Sequence, residues 1–284
     1  MKHTMQKHES NYFQIKDVAR QWINSVESEK DSFRDKVIYP KIVHWLGSHH
    51  SSGILEKILD VGCGQGIASK LMEQETQANI IDTNNDWWFR SAVPSKELAY
   101  CGIDGSSYLI KRAKENYPKT CEFMKASVYD MPFEDKYFDR LFSINLIMHL
   151  ENPESAFDEM SRVLKPGGRF LMITANPTRY SYFEWYNMFI EPVVTKNRIE
   201  GKIKIPNATI QRNSIYTHSK NRIAMALGNA FKESRDKSFF VQKYSTTYTI
   251  TPLRNPKNER YFNVNAYKAP LFCAIEGYKN KEIN

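Results

Sequence analysis

Cysteine is scarce and scattered. Cys63, Cys101, Cys121 and Cys273 are the only four, with no CxxC pair and no metal-ligand spacing. That argues against a disulfide-stapled scaffold or a zinc module and predicts small, buried or half-buried thiols in a reducing compartment. Long apolar runs are missing too. No stretch approaches the roughly 18 consecutive apolar residues of a membrane span. The first ten residues, MKHTMQKHES, are polar and lack the apolar core of a secretory leader. The expectation is a cytoplasmic protein without a membrane partner. Internal repeats and low-complexity tracts are absent. Positive charge is in excess, at +8 with a pI near 9.1, but it is dispersed. Its densest run, Lys196 to Lys204, alternates with apolar residues, which favours a solvated surface over a nucleic-acid footprint.

What is present is an alternation of two periodicities. Residues 11–46 read as helical: Phe13, Val18, Trp22, Ile23 and Val26 recur every three or four residues, and Ile38, Ile42, Val43 and Leu46 resume the pattern. Lys57–Val61 is a short apolar run stopped by glycines, as in a buried parallel strand. Strand-like runs follow at Leu98–Ile103, Glu122–Lys125, Phe138–Ile144 and Arg169–Ile173. Helical stretches at Ile67–Glu75, Ser107–Glu115 and Glu154–Leu164 lie between them. This order predicts an α/β fold with a mostly parallel, Rossmann-like sheet and helices on both faces. Residues 176–217 are aromatic and basic without clear periodicity. A helix is expected over Ser219–Lys232, and closing strands over Phe239–Thr251 and Leu271–Tyr278.

The most informative residues are Asp60-Val-Gly62-Cys63-Gly64-Gln-Gly66, between the first strand and the first helix. Glycines there let the backbone turn sharply and let a ligand approach with no Cβ in the way, although tight packing alone can use the same turn. Asp104 ends the next strand in YCGIDGSS. A carboxylate there can accept two adjacent ribose hydroxyls, and Asp104, Ser106 and Ser107 can equally cap the following helix. Asp60 beside the loop would repel a pyrophosphate and attract a ligand ammonium.

ILDVGCGQG, GIDGSS, DMPFEDKYFD, LFSINLIMHLENP and EMSRVLKPGGRFLMIT, in that order over residues 54–175, resemble the motifs of class I S-adenosylmethionine-dependent methyltransferases. The resemblance is closest to the small-molecule group called methyltransferase type 11. It implies a seven-stranded sheet, an N-terminal helical lid over residues 1–53, and a catalytic domain over 54–284. The domain would carry insertions at about 75–97 and, after the fifth strand, at 176–217. It also implies S-adenosylmethionine as cofactor. Asp60, Gly62, Cys63, Gly64 and Gly66 would bound the methionine end, and Asp104, with Gly105 and Ser106, the ribose. Ser143 and Asn145 complete the expected cofactor set, with Trp22 and Arg34 of the N-terminal segment closing over it. The family's usual aspartate at the adenine is replaced by Ser127 in ASVYDMPF, so Ser127 and Val128 are expected to serve there, while Met131-Pro132-Phe133 packs as structure. A second departure is spacing: 38 positions separate Gly66 from Asp104, against about 20 in a dinucleotide-type βαβ unit. The inserted stretch holds Asp86-Trp87-Trp88-Phe89-Arg90, suited to covering a ligand or to packing on itself.

Methyl transfer from a sulfonium chiefly needs alignment, and a base only where the acceptor loses a proton. His149, after the fourth strand, is the candidate base, with capping of the next segment as the competing reading. His218 is a second candidate, against a role at the start of the late helix. Tyr182, Trp185 and Tyr186 are candidates for a flat acceptor pocket, with Glu184 beside them, or else for plain packing. His44, His49 and His50 read as surface residues. The expected reaction is methylation of an O or N atom of a small-molecule metabolite. An RNA methyltransferase is the alternative favoured by charge, though the Asn/Asp-Pro-Pro-Tyr motif is absent. A non-catalytic cofactor-binding scaffold is the alternative from another class.

Overall fold

In the computed structural model, which describes residues 12–28, 38–47, 55–72, 80–81, 88–89, 98–117, 121–175, 189–195, 197–205, 208–231, 244–245 and 272–279, the KILDV run becomes β1, Glu56–Val61. The strands that join it are β4 (Leu98–Asp104), β5 (Cys121–Lys125), β6 (Phe138–Ile144), β7 (Leu164–Ala175), β11 (Tyr244–Ser245) and β12 (Phe272–Tyr278). Together they form a seven-stranded sheet in the order β11-β12-β7-β6-β1-β4-β5. The five strands from β7 to β5 run parallel, and β12 and β11 close the far edge antiparallel. The chain steps from β1 outward to β4 and β5, then returns to β6 on the other side of β1. That reversal opens a crevice at the carboxyl ends of β1, β4 and β6, where sheets of this kind bind ligands.

Side chains alternate between two cores. Leu59, Val61, Ile103, Phe170 and Met172 face one cluster with α4 (Pro153–Val163) and α5 (Lys220–Ala230). Ile58, Tyr100, Phe142 and Leu171 face another with α2 (Tyr39–Gly47) and α3 (Ser107–Asn116). A sheet covered on both faces explains why its strands read as near-continuous apolar runs. Met131 and Phe133 pack as expected, Phe133 edge-on to Phe138 at 4.8 Å, whereas Pro132 is exposed. Cys101 is buried, and Cys63 and Cys121 are half-buried free thiols.

Three expectations need correction. The helix expected over Ile67–Glu75 is a 3₁₀ turn over Ile67–Met72. The fifth strand starts at Leu164 rather than Arg169, because Leu164 already pairs with Phe138 before a bulge. Within 176–217 the described residues form an antiparallel sheet: β8 (Phe189–Thr195), β9 (Arg198–Ile205) and β10 (Ala208–Tyr216). Its inner face, Phe189, Ile199, Ile203 and Ile215, packs on Met148. The period-two pattern at Ile199, Ile203 and Ile205 was present but interrupted by Gly201. The inserted stretch before β4 contributes a minimal hairpin, β2 (Ile80–Ile81) with β3 (Trp88–Phe89). Asp86, Trp87 and Arg90 lie outside the described residues.

At the N-terminus, a 3₁₀ turn at Tyr12–Gln14 leads into α1 (Lys16–Ser28). Arg112 of α3 binds Glu27 of α1 bidentately at 2.9 and 2.7 Å, which ties the segment to the core. His44 is half-buried on α2, not a surface residue, and burial lowers its pKa. His49 and His50 lie outside the described residues.

Candidate active site

A cavity of about 540 Å³ fills the crevice. Its floor is the glycine turn. Gly64 has φ +57°, and a Cβ there would meet nothing within 4 Å, so a ligand can come directly against the backbone. Gly66 works differently: its φ is +79°, and a Cβ would lie 2.8 Å from the Phe123 ring and 2.9 Å from Ala113. It therefore brings the turn tight against α3 and β5 and does not line the cavity.

The Gly64 N–H donates to Asp104 Oδ2 at 3.0 Å, and the Ser106 N–H to Oδ1 at 2.8 Å. Two backbone donors thus fix the carboxylate at the mouth of the turn, each oxygen keeping a lone pair toward the cavity. Burial raises the Asp104 pKa, and these N–H groups pull it back. Ser106 is the helix cap: its Oγ accepts from the Leu109 N–H at 3.3 Å. It donates to the Phe13 carbonyl at 2.5 Å, so it supports the turn from behind. The turn thus places Asp104 at the cavity and Ser106 at the helix cap.

Asp60 lies on the same strand face as Ile58. The Tyr100 hydroxyl donates to its Oδ2 at 2.6 Å, while buried Oδ1 has no hydrogen-bond partner among the described residues. Desolvation pushes its pKa up to about 7, against the opposing Tyr100 bond. Cys63 lines the cavity, but burial and then Asp60 push its thiol well up, which disfavours the thiolate. Gln65, unmarked in the sequence reading, is buried beside it, its amide nitrogen without a hydrogen-bond partner among the described residues. Asn145 (φ +56°) follows β6 and has a buried Oδ1 without a hydrogen-bond partner among the described residues. Ser143, two residues earlier, is buried within the sheet and off the cavity. Ser127 and Val128 line the cavity beside Lys125 and Tyr129, and the Ser127 hydroxyl is occupied by the Tyr129 N–H at 3.2 Å.

The roof comes from the N-terminal segment and the inserted sheet. Phe13 stands edge-on to Trp22 (5.5 Å) and to His149 (5.8 Å), and all three line the cavity. The Gln14 amide donates to the Gly105 carbonyl, and Gly105 lines the cavity as well. Arg198 of β9 donates to the Tyr12 hydroxyl at 2.8 Å, which joins the segment to the inserted sheet. Ser214 and Tyr216 of β10 complete the wall. Tyr12, Phe13, Gln14 and Tyr216 come to the cavity from distant parts of the sequence and are recognised as its residues only in the fold.

His149 Nδ1 lies 3.2 Å from the Ser214 carbonyl, so Nδ1 carries the proton and Nε2 the lone pair. Burial lowers its pKa to about 4, well below the ordinary value from which a titration near neutrality was expected. His218 is not a cavity residue. It is buried behind the wall, 2.7 Å from the Leu150 carbonyl. Arg34, Tyr182, Glu184, Trp185 and Tyr186 lie outside the described residues. Among the described residues no cluster of His, Cys, Asp or Glu is arranged to hold a metal ion.

Residues 86–172, which take in Asp104, Ser127, Asn145 and His149, match a family described as a methyltransferase domain. The chain is 33% identical over 114 residues to a sterol 24-C-methyltransferase of Schizosaccharomyces pombe; the match takes in 40% of this chain and 26% of that protein, so the chain spans about a quarter of the relative's length. In fold it resembles a chain of the complex between the Haloferax volcanii Trm112 methyltransferase activator and a methyltransferase: TM-score 0.57, 15% identity, 96% of this chain and 99% of that one. It also resembles an S-adenosylmethionine dependent methyltransferase from Mesorhizobium loti: TM-score 0.52, 15% identity, 86% and 99% covered. Residues 86–172 thus match a methyltransferase domain, and the chain shares its fold with S-adenosylmethionine-dependent methyltransferases.

Proposed function

We propose that this chain transfers the methyl group of S-adenosylmethionine to a small, largely apolar acceptor. The observation that carries the proposal is one cavity with two chemically different halves. One half is a glycine turn with Asp60 and Asp104; the other is aromatic, with Phe13, Trp22 and Tyr216, and contains the neutral His149 with its bare Nε2. When bound, S-adenosylmethionine supplies an activated methyl on a sulfonium that leaves without protonation. Gly62, Cys63 and Gly64 would follow its amino-acid end, with the ammonium at Asp60 Oδ1. Asp104 would accept the ribose hydroxyls on the lone pairs its backbone donors leave. Ser127 and Val128 would border the adenine, and Asn145 the reacting centre. His149 Nε2 would take the acceptor's proton, which matters where oxygen or nitrogen receives the methyl; the sterol relative is named for transfer to carbon.

Residues 1–53 would serve as the lid and 54–284 as the catalytic unit, with Arg34, Tyr182, Trp185 and Tyr186 as further lid and acceptor-wall residues. A cytoplasmic setting fits this reading. Among the described residues no helix is long and apolar enough to cross a membrane.

The test is transfer from labelled S-adenosylmethionine to separated pools of small metabolites, lipids and RNA. Label in a small-molecule or lipid fraction, lost in Asp104→Ala, is the expected result. Label confined to RNA would replace the small-molecule reading. No label, together with no calorimetric binding of S-adenosylhomocysteine, would refute the proposal outright.

A further inference from the structure

We propose that His218 is a positioning residue that holds the loop bearing His149 in place through the Leu150 carbonyl. His218 lies between β10 and α5, just before the α5 cap Ser219, and is 2% exposed. Its Nε2 is 2.7 Å from the Leu150 carbonyl and its Nδ1 is 3.2 Å from Arg222 Nη1. A guanidinium has donors and no acceptor, so Nδ1 must be the bare nitrogen, and Nε2–H donates to Leu150. Both ends of the ring therefore dictate one neutral tautomer.

Arg222 cannot turn away easily. Glu154 of α4 accepts from it twice, at 2.7 and 2.8 Å, and its Nη2 reaches toward the Glu151 carbonyl at 3.5 Å. Tyr216 stacks on His218, with ring centroids 5.8 Å apart and planes 9° from parallel. One continuous stretch, 214–222, thus holds three successive residues: Ser214 at the His149 ring, His218 at the Leu150 carbonyl and Arg222 at the Glu151 carbonyl. The charged and titratable groups facing His218 are Arg222 on α5, Glu154 on α4 and the Tyr216 phenol on β10, with the Leu150 and Ile147 carbonyls from the loop. Protonating His218 would set an N–H against the Arg222 guanidinium, which disfavours the charged form. The exit of the inserted sheet thereby fixes which nitrogen of His149 is free, and how it sits.

The inference rests on the reading of His149 as the acceptor-side base, yet its test needs no acceptor. The full chain, labelled with ¹⁵N-histidine, is followed by NMR across pH, with His149→Gln assigning the His149 ring. In wild type, His149 should show the Nδ1–H tautomer and titrate far below ordinary imidazole. In His218→Phe the loop loses its donor, so His149 should become a tautomer mixture whose midpoint rises by about one pH unit or more as water reaches it. His218→Gln, whose amide can donate to Leu150, should restore the wild-type signals. Arg222→Leu, at a partly exposed position, frees His218 to change tautomer and should shift His149 in the same direction, even if His218→Phe fails to fold. A His149 ring unchanged in folded His218→Phe or in Arg222→Leu overturns the proposal, and so does failure of His218→Gln to restore it. Binding of S-adenosylhomocysteine, measured alongside, separates the two ideas: its absence in wild type defeats the methyltransferase reading, while the NMR comparison still judges His218.

Discussion

Two carboxylates share the cavity under different hydrogen-bonding loads. Asp104 has a backbone N–H on each oxygen, whereas Asp60 has a phenol on one oxygen and, among the described residues, no partner on the other. Asp104→Ala should weaken S-adenosylhomocysteine binding by about 1–3 kcal/mol, the cost of unpaired hydroxyls; calorimetry on the folded variant checks this. Asp60 holds its proton up to about pH 7, against 3.8 for an ordinary Asp. Its contribution to stability is therefore fully present below the ordinary value and is lost as pH rises through about 7. A ligand ammonium favours the ionised form, so binding below pH 7 should release a proton. Calorimetry in buffers of different ionisation heat should detect that release in wild type and lose it in Asp60→Asn; buffer-independent heats in wild type would remove Asp60 from the ammonium site. His149 runs the other way. Its lowered pKa stabilises the native state above about 6.5, and the effect fades as pH falls toward 4. For an acceptor that loses a proton, His149→Ala should cut turnover about 10²–10⁴-fold with cofactor affinity kept. The acid limb of the wild-type profile should fall near 4 rather than near neutrality. Full activity in the variant would leave His149 structural.

At the scale of elements, the central strands were legible because burial on both faces removes polar interruptions. Phe138–Ile144 was expected and found with identical bounds. The glycine turn was legible because positive φ at Gly62, Gly64 and Gly66 excludes most other residues, and Asp104 because a carboxylate at a strand end stands out from the apolar run before it. The placement of Ser143 and Asn145 was not, since a strand end decides which side chain turns into the sheet and which into the crevice. Although the N-terminal part of the roof was expected as a lid, the inserted sheet was hidden for another reason. Its strands pair with one another and with Met148, so their apolar period is short and is broken at Gly201. The N-terminal segment meets the cavity by side-chain to backbone bonds at Gly105 and Ser106, which no local pattern announces. These bonds predict that hydrogen exchange over residues 12–28 and 208–216 slows when S-adenosylhomocysteine and acceptor bind; equal protection in both states would make the roof ordinary structure. Gly66→Ala is a sharper probe of the turn. Positive φ and the contacts with Phe123 and Ala113 should lower stability by about 1–3 kcal/mol in denaturant unfolding, whereas Gly64→Ala, which shares the positive φ but meets no neighbour, should lose less stability and weaken ligand binding.

At the scale of the whole molecule, the reversal of strand order after β5 gathers the ends of β1, β4 and β6 around one crevice. The inserted sheet then brings β10 over it from a distant part of the sequence. This architecture serves many reactions, so the assignment rests on the side chains in the crevice rather than on the fold. Ligand at 100 times its dissociation constant should add about 2.7 kcal/mol to the stability of a protein that binds it only when folded. The thermal midpoint should therefore rise with S-adenosylhomocysteine, and rise less in Asp104→Ala at the same ligand concentration. The seal at the other edge has a consequence for how the chain is made. β7 is complete by Ala175, but the strand that covers its outer edge, β12, starts at Phe272. Gly277 is the position that lets Phe170 fit beneath that strand: a Cβ there would lie 2.4 Å from the ring. Just past β12, Lys279 donates to the Ser161 and Leu164 carbonyls at 3.0 and 3.2 Å. During synthesis β7 must therefore wait, with an unpaired edge, until nearly a hundred further residues have left the ribosome. An unpaired apolar edge of that kind recruits other strands, so the nascent chain is most exposed to aggregation in this interval, and slowing translation between β10 and β12 should lower the soluble yield more than slowing it anywhere before β7.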